Sequence, residues 1–410
     1  MEEGTLFTTL QIVLLCILAL PALYLAAVCG YLFIITIGAW LFWVRVNYQA
    51  DPVKAALLIP AHNEEHHIRY ILSDAMTMDY PPSKFTVFVI ADNCTDATAQ
   101  KAREMNATVF ERHDLAHRGK GQALDWCLRT FHDQLAGFDI IALVDADMQI
   151  HPRFLRELAA SYSAGARVVQ ALNTVAKPNT NWRTALGYVG FSVINHVRPS
   201  GRRFFGGTAE LKGSGMAFDA PLLLEYGWPA HSVAEDAEFS KHLLLDGIMV
   251  EYNPRALVTS EIPTTTYQAR IQQQRWEGGK WHLQQKYIPL LLRAFLQKPS
   301  IPRLDALLDI IVPPQSILFG LILGSFLLSI PVHPALTAFF GACGLAVAFC
   351  ILSGLALTRA PLGVWLSLLF VPVLLIWKIP VYARVLAIKG AHAWHRTPRD
   401  VELESEESNP

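Results

Sequence analysis

The stretch IIALVDAD (residues 140–147) sets five apolar residues directly before two aspartates. An uninterrupted apolar run of this length, ended by polar side chains, predicts a β-strand that is buried on both faces. Similar runs lie upstream, at Ala55–Ile59, Phe85–Ala91 and Ala107–Glu111. Segments with helical spacing alternate with them, over Ile68–Met76, Ala97–Met105 and Gly121–Leu135. This alternation indicates a parallel sheet with helices on both faces.

The apolar residues of the chain are concentrated towards its two ends. No charged side chain occurs from Leu6 to Val44 or from Ile310 to Leu357. Such runs predict transmembrane helices, whereas the charged region between them is long enough for one α/β domain. We therefore predict a membrane region with one or two spans (1–47), a globular domain ending in interfacial helices (48–300), a membrane region of three apolar segments (301–388) and a tail (389–410) that ends in a disordered acidic segment.

Charge indicates the partners and the side of the membrane. The net charge of −1 argues against nucleic acid as a partner. The apolar runs instead make the lipid bilayer an expected partner. Arg45 follows the first apolar run, which is too long for a signal peptide, so we expect the globular domain on the cytoplasmic side of the cell (inner) membrane. Three further spans would place the basic tail on the opposite side. One segment is therefore expected to be re-entrant or interfacial, and Pro372 and Pro380 favour the third.

Polar side chains follow three of the predicted strands at the point where each strand ends. These are Asn63 and Glu64, Asp92 and Asp96, and Asp145 and Asp147. Ligands of open α/β sheets bind outside the carboxyl ends of the strands, so this register indicates a nucleotide site. Asp145 and Asp147 can aim two carboxylates at one hard cation, although the pair alone is also compatible with a solvated strand end.

Two further motifs are candidates for nucleotide contacts. Asp92 can accept hydrogen bonds from a base or a ribose hydroxyl, whereas Asp96 is better placed to cap the helix that follows. Lys120 lies between two glycines before a helix, where it can reach a phosphate; the alternative is a basic turn.

The second half of the domain offers a candidate base. Glu235 and Asp236 open a predicted helix, where carboxylates are stabilised by the helix dipole or can act as a general base. The small-residue loop Gly213-Ser214-Gly215 would let an acceptor approach the backbone closely, or is a turn.

The segment QQQRW (residues 272–276) places Gln272, Arg275 and Trp276 on one face of a helix. An amide, a guanidinium and a flat ring together suit a diphosphate or a sugar. The alternative is a membrane-surface helix with interfacial side chains, which is what we expect of the neighbouring Lys280 and Trp281.

Taken in order, these motifs resemble the membrane-bound members of glycosyltransferase family 2, the group that contains cellulose, chitin and hyaluronan synthases. The resemblance runs from about Ala55 to Trp281 and is carried by Pro60-Ala61-His62-Asn63-Glu64, Asp92, Lys120, Asp145-Ala146-Asp147, Glu235-Asp236 and Gln272-x-x-Arg275-Trp276. Ala234 and Ala91 stand where the family usually has Thr and Asp, and the latter leaves one carboxylate for the nucleoside. The segment Trp394–Thr397 is similar to a tail segment that meets the site in some synthases.

The resemblance implies an α/β GT-A (Rossmann-like) glycosyltransferase domain inserted between transmembrane helices, a UDP-sugar donor, and Mg²⁺ or Mn²⁺. It implies that Asp147 is the main metal ligand with Asp145 beside it, and that Asp236, next to Glu235, is the catalytic base. The donor would be bound by Pro60, Ala61, Asn63, Glu64, Asp92, Lys120, Asp145, Gln272, Arg275 and Trp276. The acceptor would meet Trp276 and the loop Gly213-Ser214-Gly215.

The expected reaction is an inverting transfer to a growing β-linked polysaccharide or oligosaccharide. Because three C-terminal segments make a tight pore, polymer export would need a homo-oligomer or an export partner. Single transfer to a membrane lipid, as in ceramide glucosyltransferase-like members, is the main alternative. A transporter or scaffold that only binds nucleotide is a more remote one, since the apolar segments lack paired broken helices and buried charges.

Overall fold

The computed structural model describes residues 2–263 and 266–387. Its centre is one eight-stranded mixed sheet, with helices on both faces and a block of long apolar helices at one side. The strands are β1 (Ala55–Ala61), β2 (Phe85–Asp92), β3 (Thr108–Arg112), β4 (Ile140–Leu143), β5 (Met148–Ile150), β6 (Val168–Val175), β7 (Met216–Asp219) and β8 (Val250–Ser260).

Sixteen α-helices are assigned in the described ranges. They are α1 (Glu2–Leu41), α2 (Ile68–Met76), α3 (Thr98–Glu104), α4 (Lys120–Thr130), α5 (His132–Leu135), α6 (Phe154–Ser163), α7 (Trp182–Ser192), α8 (Arg198–Phe204), α9 (Ala220–Tyr226), α10 (Glu235–Leu245), α11 (Thr266–Gln297), α12 (Ile301–Ile311), α13 (Gln315–Ser329), α14 (Pro334–Leu357), α15 (Leu362–Ser367) and α16 (Val371–Ala387). A π-helical segment, Val193–Val197, joins α7 to α8.

The predicted strands are present, but the sheet is not wholly parallel. The strand order is β3-β2-β1-β4-β7-β6-β8-β5, and the first four strands are parallel as predicted. β7 is antiparallel to both β4 and β6. An apolar run predicts that a strand is buried on both faces of the sheet. It does not indicate whether the adjacent strand is parallel or antiparallel. Leu57 and Leu58 illustrate the burial, because they are fully buried in the cores on opposite faces of β1.

The single helix predicted over Gly121–Leu135 is two helices, α4 and α5, which meet at Phe131. The ring of Phe131 stacks on that of Phe110 from β3. This aromatic contact fixes Phe131 at the junction between α4 and α5. The helical spacing of the sequence does not predict the contact.

The apolar ends form helices. The helix α1 is continuous through Pro21, and Leu14–Leu41 is long and apolar enough to cross a membrane, as are Pro334–Leu357 and Leu362–Tyr382. A break precedes most of the first C-terminal segment, where α12 and α13 meet at 72°. Which of the three segments is re-entrant or interfacial stays a prediction. Pro313 and Pro314 lie at this bend, where proline disfavours a continuous helix. Residues 388–410, including Trp394–Thr397 and the acidic end, lie outside the described residues.

A buried ion network, which we call the junction cluster, joins the sheet domain to the apolar helices. Arg202 donates from Nε to Asp305 Oδ2 and from Nη1 to Asp309 Oδ2, both at 2.8 Å. Arg198 donates from Nε to Asp309 Oδ1 at 3.0 Å, and Tyr31 of α1 donates to Asp305 Oδ1 at 2.8 Å. Two guanidinium groups therefore balance two carboxylates where α1, α8 and α12 meet.

Candidate active site

The ends of β1 and β2 are held together by a network of polar contacts. A ring nitrogen of His62 lies 2.7 Å from the carbonyl oxygen of Asp92. Asn63 Oδ1 accepts from the Thr95 backbone N–H at 2.8 Å, and the Glu64 N–H donates to Thr98 Oγ1 at 2.8 Å. These residues therefore shape the loop after Pro60 and Ala61, whatever they contribute to nucleotide binding.

Asp96 lies one residue before Ala97, which is the N-cap of α3 and makes no side-chain cap bond, but Asp96 still contacts the first turn of the helix. Its Oδ1 accepts from the backbone N–H of Thr98, at the start of α3, at 3.0 Å. This bond satisfies one of the unpaired N–H groups at the helix start. Asp92 is separate from this contact, and its role in nucleotide binding stays a prediction.

Asp92 has a partner that sequence reasoning missed. Arg112, at the end of β3, donates from Nη1 to Asp92 Oδ1 at 2.7 Å, and only 5% of its surface is exposed. Its Nη2 also donates to Asp114 Oδ2 at 2.9 Å and to the His117 carbonyl at 2.8 Å. Arg112 thus connects the candidate nucleoside carboxylate to the loop that leads to Lys120. The pairing of Asp92 with Arg112 follows from the strand register, because the two residues are opposite each other in the β2–β3 pair.

Six of the candidate residues form one group, which we call the carboxylate cleft: Lys120, Asp145, Asp147, Gly213, Glu235 and Asp236. Lys120 Nζ forms an ion pair with Asp145 and donates to the Gly213 carbonyl. The Asp145 N–H donates to Ser214 Oγ at 3.0 Å. A Cβ atom at Gly213 would lie 3.3 Å from Asp236 Oδ2, so the loop passes directly against the candidate base.

The loop in this cleft needs its glycines. Gly213 and Gly215 have φ angles of +78° and +70°, a left-handed conformation that strains other residues. A Cβ at Gly215 would also lie 2.9 Å from a Val258 side-chain carbon. The segment Gly213-Ser214-Gly215 is therefore a turn, which is one of the two predicted alternatives. This turn places the backbone of Gly213 in the carboxylate cleft.

Within the described residues, the carboxylate cleft groups the acidic side chains of Asp145, Asp147, Glu235 and Asp236 with the ammonium of Lys120. Burial raises the pKa of Asp145, and it also raises the pKa of Asp236. Burial and the neighbouring Asp236 raise the pKa of Glu235 to about 8. Burial opposes the charge of Lys120, but Asp145 and Glu235 outweigh it and raise the pKa of the ammonium.

This donor set suits a hard divalent cation. Asp145 and Asp147 offer carboxylate oxygens, which Mg²⁺ and Mn²⁺ prefer, in a group with more carboxylates than cations. Within the described ranges, no three His, Cys, Asp or Glu side chains are grouped as a complete metal site. A cation here would therefore need oxygens from water or a diphosphate to complete its coordination.

The QxxRW segment is helical, as predicted, and lies within α11. The Trp276 ring is 41% exposed and its centroid is 6.1 Å from that of Phe191 in α7. One turn later, Gly279 abuts the start of α10, since a Cβ at Gly279 would lie 3.1 Å from Ala234 Cβ. The segment therefore borders the cleft, and in the described residues no hydrogen bond joins Gln272 or Arg275 to it.

Lys280 differs from its prediction. Its ammonium turns inward and donates to the Val312 carbonyl at 2.8 Å, instead of extending to the membrane surface. Burial and the nearby Arg198 lower its pKa to about 8. This carbonyl belongs to the C-cap residue of α12, at the break between α12 and α13. Trp281 is 53% exposed, as expected of a surface side chain.

Comparison with known proteins places these observations in a family. Residues 52–279 match the model described as "Glycosyltransferase like family 2". Over 247 residues the chain is 30% identical to a beta-monoglucosyldiacylglycerol synthase of Nostoc sp., covering 58% of this chain and 51% of that protein. It is 25% identical over 253 residues to the Arabidopsis thaliana glucomannan 4-beta-mannosyltransferase 7, covering 58% of this chain and 44% of that protein. The chain thus spans about half the length of the curated relatives it matches.

A solved structure shows the same fold. The mannosyltransferase PcManGT of Pyrobaculum calidifontis, in complex with GDP-Man and Mn²⁺, aligns with a TM-score of 0.52 at 18% identity, covering 89% of this chain and 98% of that chain. The sheet domain is therefore a GT-A (Rossmann-like) α/β domain, flanked by helices apolar enough to span a membrane. The chain belongs to glycosyltransferase family 2.

Proposed function

We propose that this protein transfers a hexose, with inversion, from a UDP-sugar to a hydroxyl group of a membrane lipid. The observation that carries the proposal is the carboxylate cleft, where Lys120, Asp145 and Asp236 meet at the Gly213 loop. The choice of a lipid is supported by the relatives named beta-monoglucosyldiacylglycerol synthase and by the apolar helices next to the domain.

In the proposed reaction, one residue of this protein accepts a proton. Asp236 removes the proton of the acceptor hydroxyl, and that oxygen attacks the anomeric carbon from the side opposite the diphosphate. The bond between the sugar and UDP breaks, so an α-linked donor gives a β-linked product. Asp236 is chosen as the base because it lies against the Gly213 loop, where the acceptor is expected.

The remaining site residues bind and orient the donor. Asp92, held by Arg112, would accept hydrogen bonds from the uridine, with the loop of Pro60, Ala61, Asn63 and Glu64 beside it. Lys120 would lie against the diphosphate, and Arg275, Gln272 and Trp276 would close over donor and acceptor from α11. Mg²⁺ or Mn²⁺, held by Asp147 and Asp145, would offset the negative charge of the diphosphate.

We also propose that the GT-A domain is cytoplasmic and that the pair α12–α13 does not cross the bilayer. α12 is tied to the domain through the junction cluster, and α13 has only 15 residues, about 22 Å of helix. The remaining three candidate spans then keep both the domain and the basic tail on one side. Topology would be tested by labelling single cysteines placed in the α13–α14 turn and in the tail.

Extension of a β-linked glycan is the second candidate. It is favoured by Gln272-x-x-Arg275-Trp276 and by the likeness to a glucomannan mannosyltransferase. Three candidate spans in one chain leave little room for a polymer, so this function would need a homo-oligomer or an export partner.

The two functions are separated by their products. Purified protein in lipid nanodiscs would be given a panel of UDP-sugars with Mg²⁺ or Mn²⁺, and the products analysed by mass spectrometry. One added sugar on a lipid is the expected result. A ladder of increasing length from one donor would establish glycan extension, and nucleotide binding without UDP release would leave only a binding protein.

A further inference from the structure

Gln170, a buried residue of β6, contacts the loop that carries Gly213 in the carboxylate cleft. Only 1% of its surface is exposed. Its Oε1 accepts a hydrogen bond from the Lys212 backbone N–H at 2.9 Å, and its Nε2 donates to the Ser214 carbonyl at 2.9 Å. Nε2 also donates to the Ala171 carbonyl of the same strand at 2.8 Å. One side-chain amide therefore binds the backbone on both sides of Gly213.

The loop depends on such restraints because of its glycines. Gly213 and Gly215 adopt left-handed φ angles, and a glycine backbone has access to more conformations than that of any other residue. Gly215 directly precedes β7, and its N–H donates to the Leu143 carbonyl of β4 at 3.0 Å. Gly213 lies outside the sheet, between the two backbone groups that Gln170 binds. Loss of the amide would therefore free the backbone on both sides of the glycine that enters the carboxylate cleft.

The same loop is attached to α10, the helix that carries the proposed base. The Leu211 N–H donates to Ser240 Oγ at 2.8 Å, and Ser240 Oγ donates to the Asp236 carbonyl at 3.0 Å. A Cβ atom at Gly213 would lie 3.3 Å from the Asp236 carboxylate. The sheet, through Gln170, and α10, through Ser240, therefore hold the loop against Asp236 from two sides.

We propose that Gln170 is a positioning residue, which fixes the Gly213 loop against Asp236 and thereby places the acceptor hydroxyl at the base. The inference rests on the proposed function, because that function assigns the loop to the acceptor. An amide suits this task because it supplies a donor and an acceptor in one fixed group. The simpler alternative is that Gln170 only satisfies buried backbone groups, a role that affects stability and not the kinetics of the folded protein.

Gln170→Met tests the proposal, because the variant keeps the length and burial of the side chain but loses its hydrogen bonds to the loop. UDP release would be measured in lipid nanodiscs, per mole of folded protein, with the UDP-sugar that the wild type turns over fastest. We expect kcat to fall by about 10- to 100-fold, since a small displacement of reacting groups costs rates of this order. KM for the donor should change little, because the contact between Asp92 and Arg112 is left in place.

Asn253→Leu is the matched control. Asn253 is a fully buried amide on the neighbouring strand β8, but its side chain reaches α6 instead of the Gly213 loop. Its Nδ2 donates to the Glu157 carbonyl at 3.0 Å and to Ser161 Oγ at 2.9 Å. The temperature of thermal unfolding should fall in this variant as in Gln170→Met, while kcat per mole of folded protein should stay at the wild-type value.

A second substitution at the same position keeps the test decisive if the methionine variant does not fold. Gln170→Glu retains an acceptor oxygen but, when ionised, loses the donor, so its kcat should lie between those of the wild type and Gln170→Met. An unchanged kcat in the folded Gln170 variants, or an equal fall in Asn253→Leu, would overturn the proposal.

Hydrogen exchange separates this inference from the proposed function. Without donor, the backbone amides of residues 211–216 should exchange about two- to tenfold faster in Gln170→Met, and at the wild-type rate in Asn253→Leu, as measured by mass spectrometry. If the wild type releases no UDP with any donor, the proposed function fails, and faster exchange would still support the role of Gln170 in fixing the loop. Unchanged exchange would overturn that role whether or not UDP is released.

Discussion

The carboxylate cleft and the junction cluster are both buried groups of charges, but they differ in balance. In the junction cluster, Arg198 and Arg202 are matched by Asp305 and Asp309, and each guanidinium donates to a carboxylate. In the carboxylate cleft, Lys120 is paired with Asp145 while Asp147, Glu235 and Asp236 add further acidic groups.

The difference in charge balance suggests a structural role for the junction cluster and a catalytic role for the carboxylate cleft. Balanced, hydrogen-bonded charges hold elements in place, and breaking one partner leaves an unpaired buried charge. In the carboxylate cleft, burial and neighbouring carboxylates raise the pKa values of the acidic groups, and such grouped carboxylates favour binding of a cation. Substitutions in the carboxylate cleft are therefore expected to lower the turnover number. Substitutions in the junction cluster are expected to lower the free energy of unfolding.

The largest effect is expected from Asp236→Asn. Loss of a general base lowers the turnover number by about 10² to 10⁴, while the fold is retained because the amide is nearly isosteric. UDP release and thermal unfolding would be measured together. Asp246→Asn, at the other end of α10, is the matched control and should keep wild-type turnover.

Removal of divalent metal should be nearly as severe. Chelation, or Asp147→Asn, leaves the diphosphate charge without its counter-ion, so UDP release should fall by about 100-fold or more. Added Mg²⁺ or Mn²⁺ should restore the chelated wild type but not the variant. Undiminished turnover after chelation would refute the assignment of Asp145 and Asp147.

Arg202→Met should act on stability instead. It leaves Asp305 and Asp309 without this guanidinium in a buried site, at a cost of about 3–5 kcal/mol in the free energy of unfolding. Thermal unfolding in detergent would measure it. Arg156→Met breaks an exposed pair with Asp79 and should change little. Equal, small shifts for both variants would show that the junction cluster is not a structural tether.

The smallest effect is expected from Arg112→Lys, which tests a residue that positions Asp92. A lysine keeps the charge but cannot bridge Asp92, Asp114 and the His117 carbonyl, so KM for the donor should rise by about tenfold with less change in kcat. Steady-state kinetics and UDP titration would measure this. A purely structural role would instead lower stability and leave KM unchanged.

The same comparison shows what could be predicted from sequence. Asp92 and Asp145 were predicted as site residues because they lie at the carboxyl ends of parallel strands, which meet at one edge of the sheet. Asp236 was predicted because it lies at the start of a helix, between two other candidate motifs. Arg112 and the junction cluster were missed because their partners depend on strand neighbours and on helix docking, which local patterns do not encode. Lys280 was misplaced for the same reason, since its acceptor exists only because of the break at Pro313 and Pro314.

The most direct test of the account compares UDP release per mole of folded protein for the wild type, Asp236→Asn and Arg202→Met in the same nanodiscs. We predict turnover in the wild type, near-complete loss in Asp236→Asn, and near-wild-type turnover in whatever fraction of Arg202→Met is folded. Full turnover by folded Asp236→Asn would contradict the central claim that the carboxylate cleft is the catalytic site.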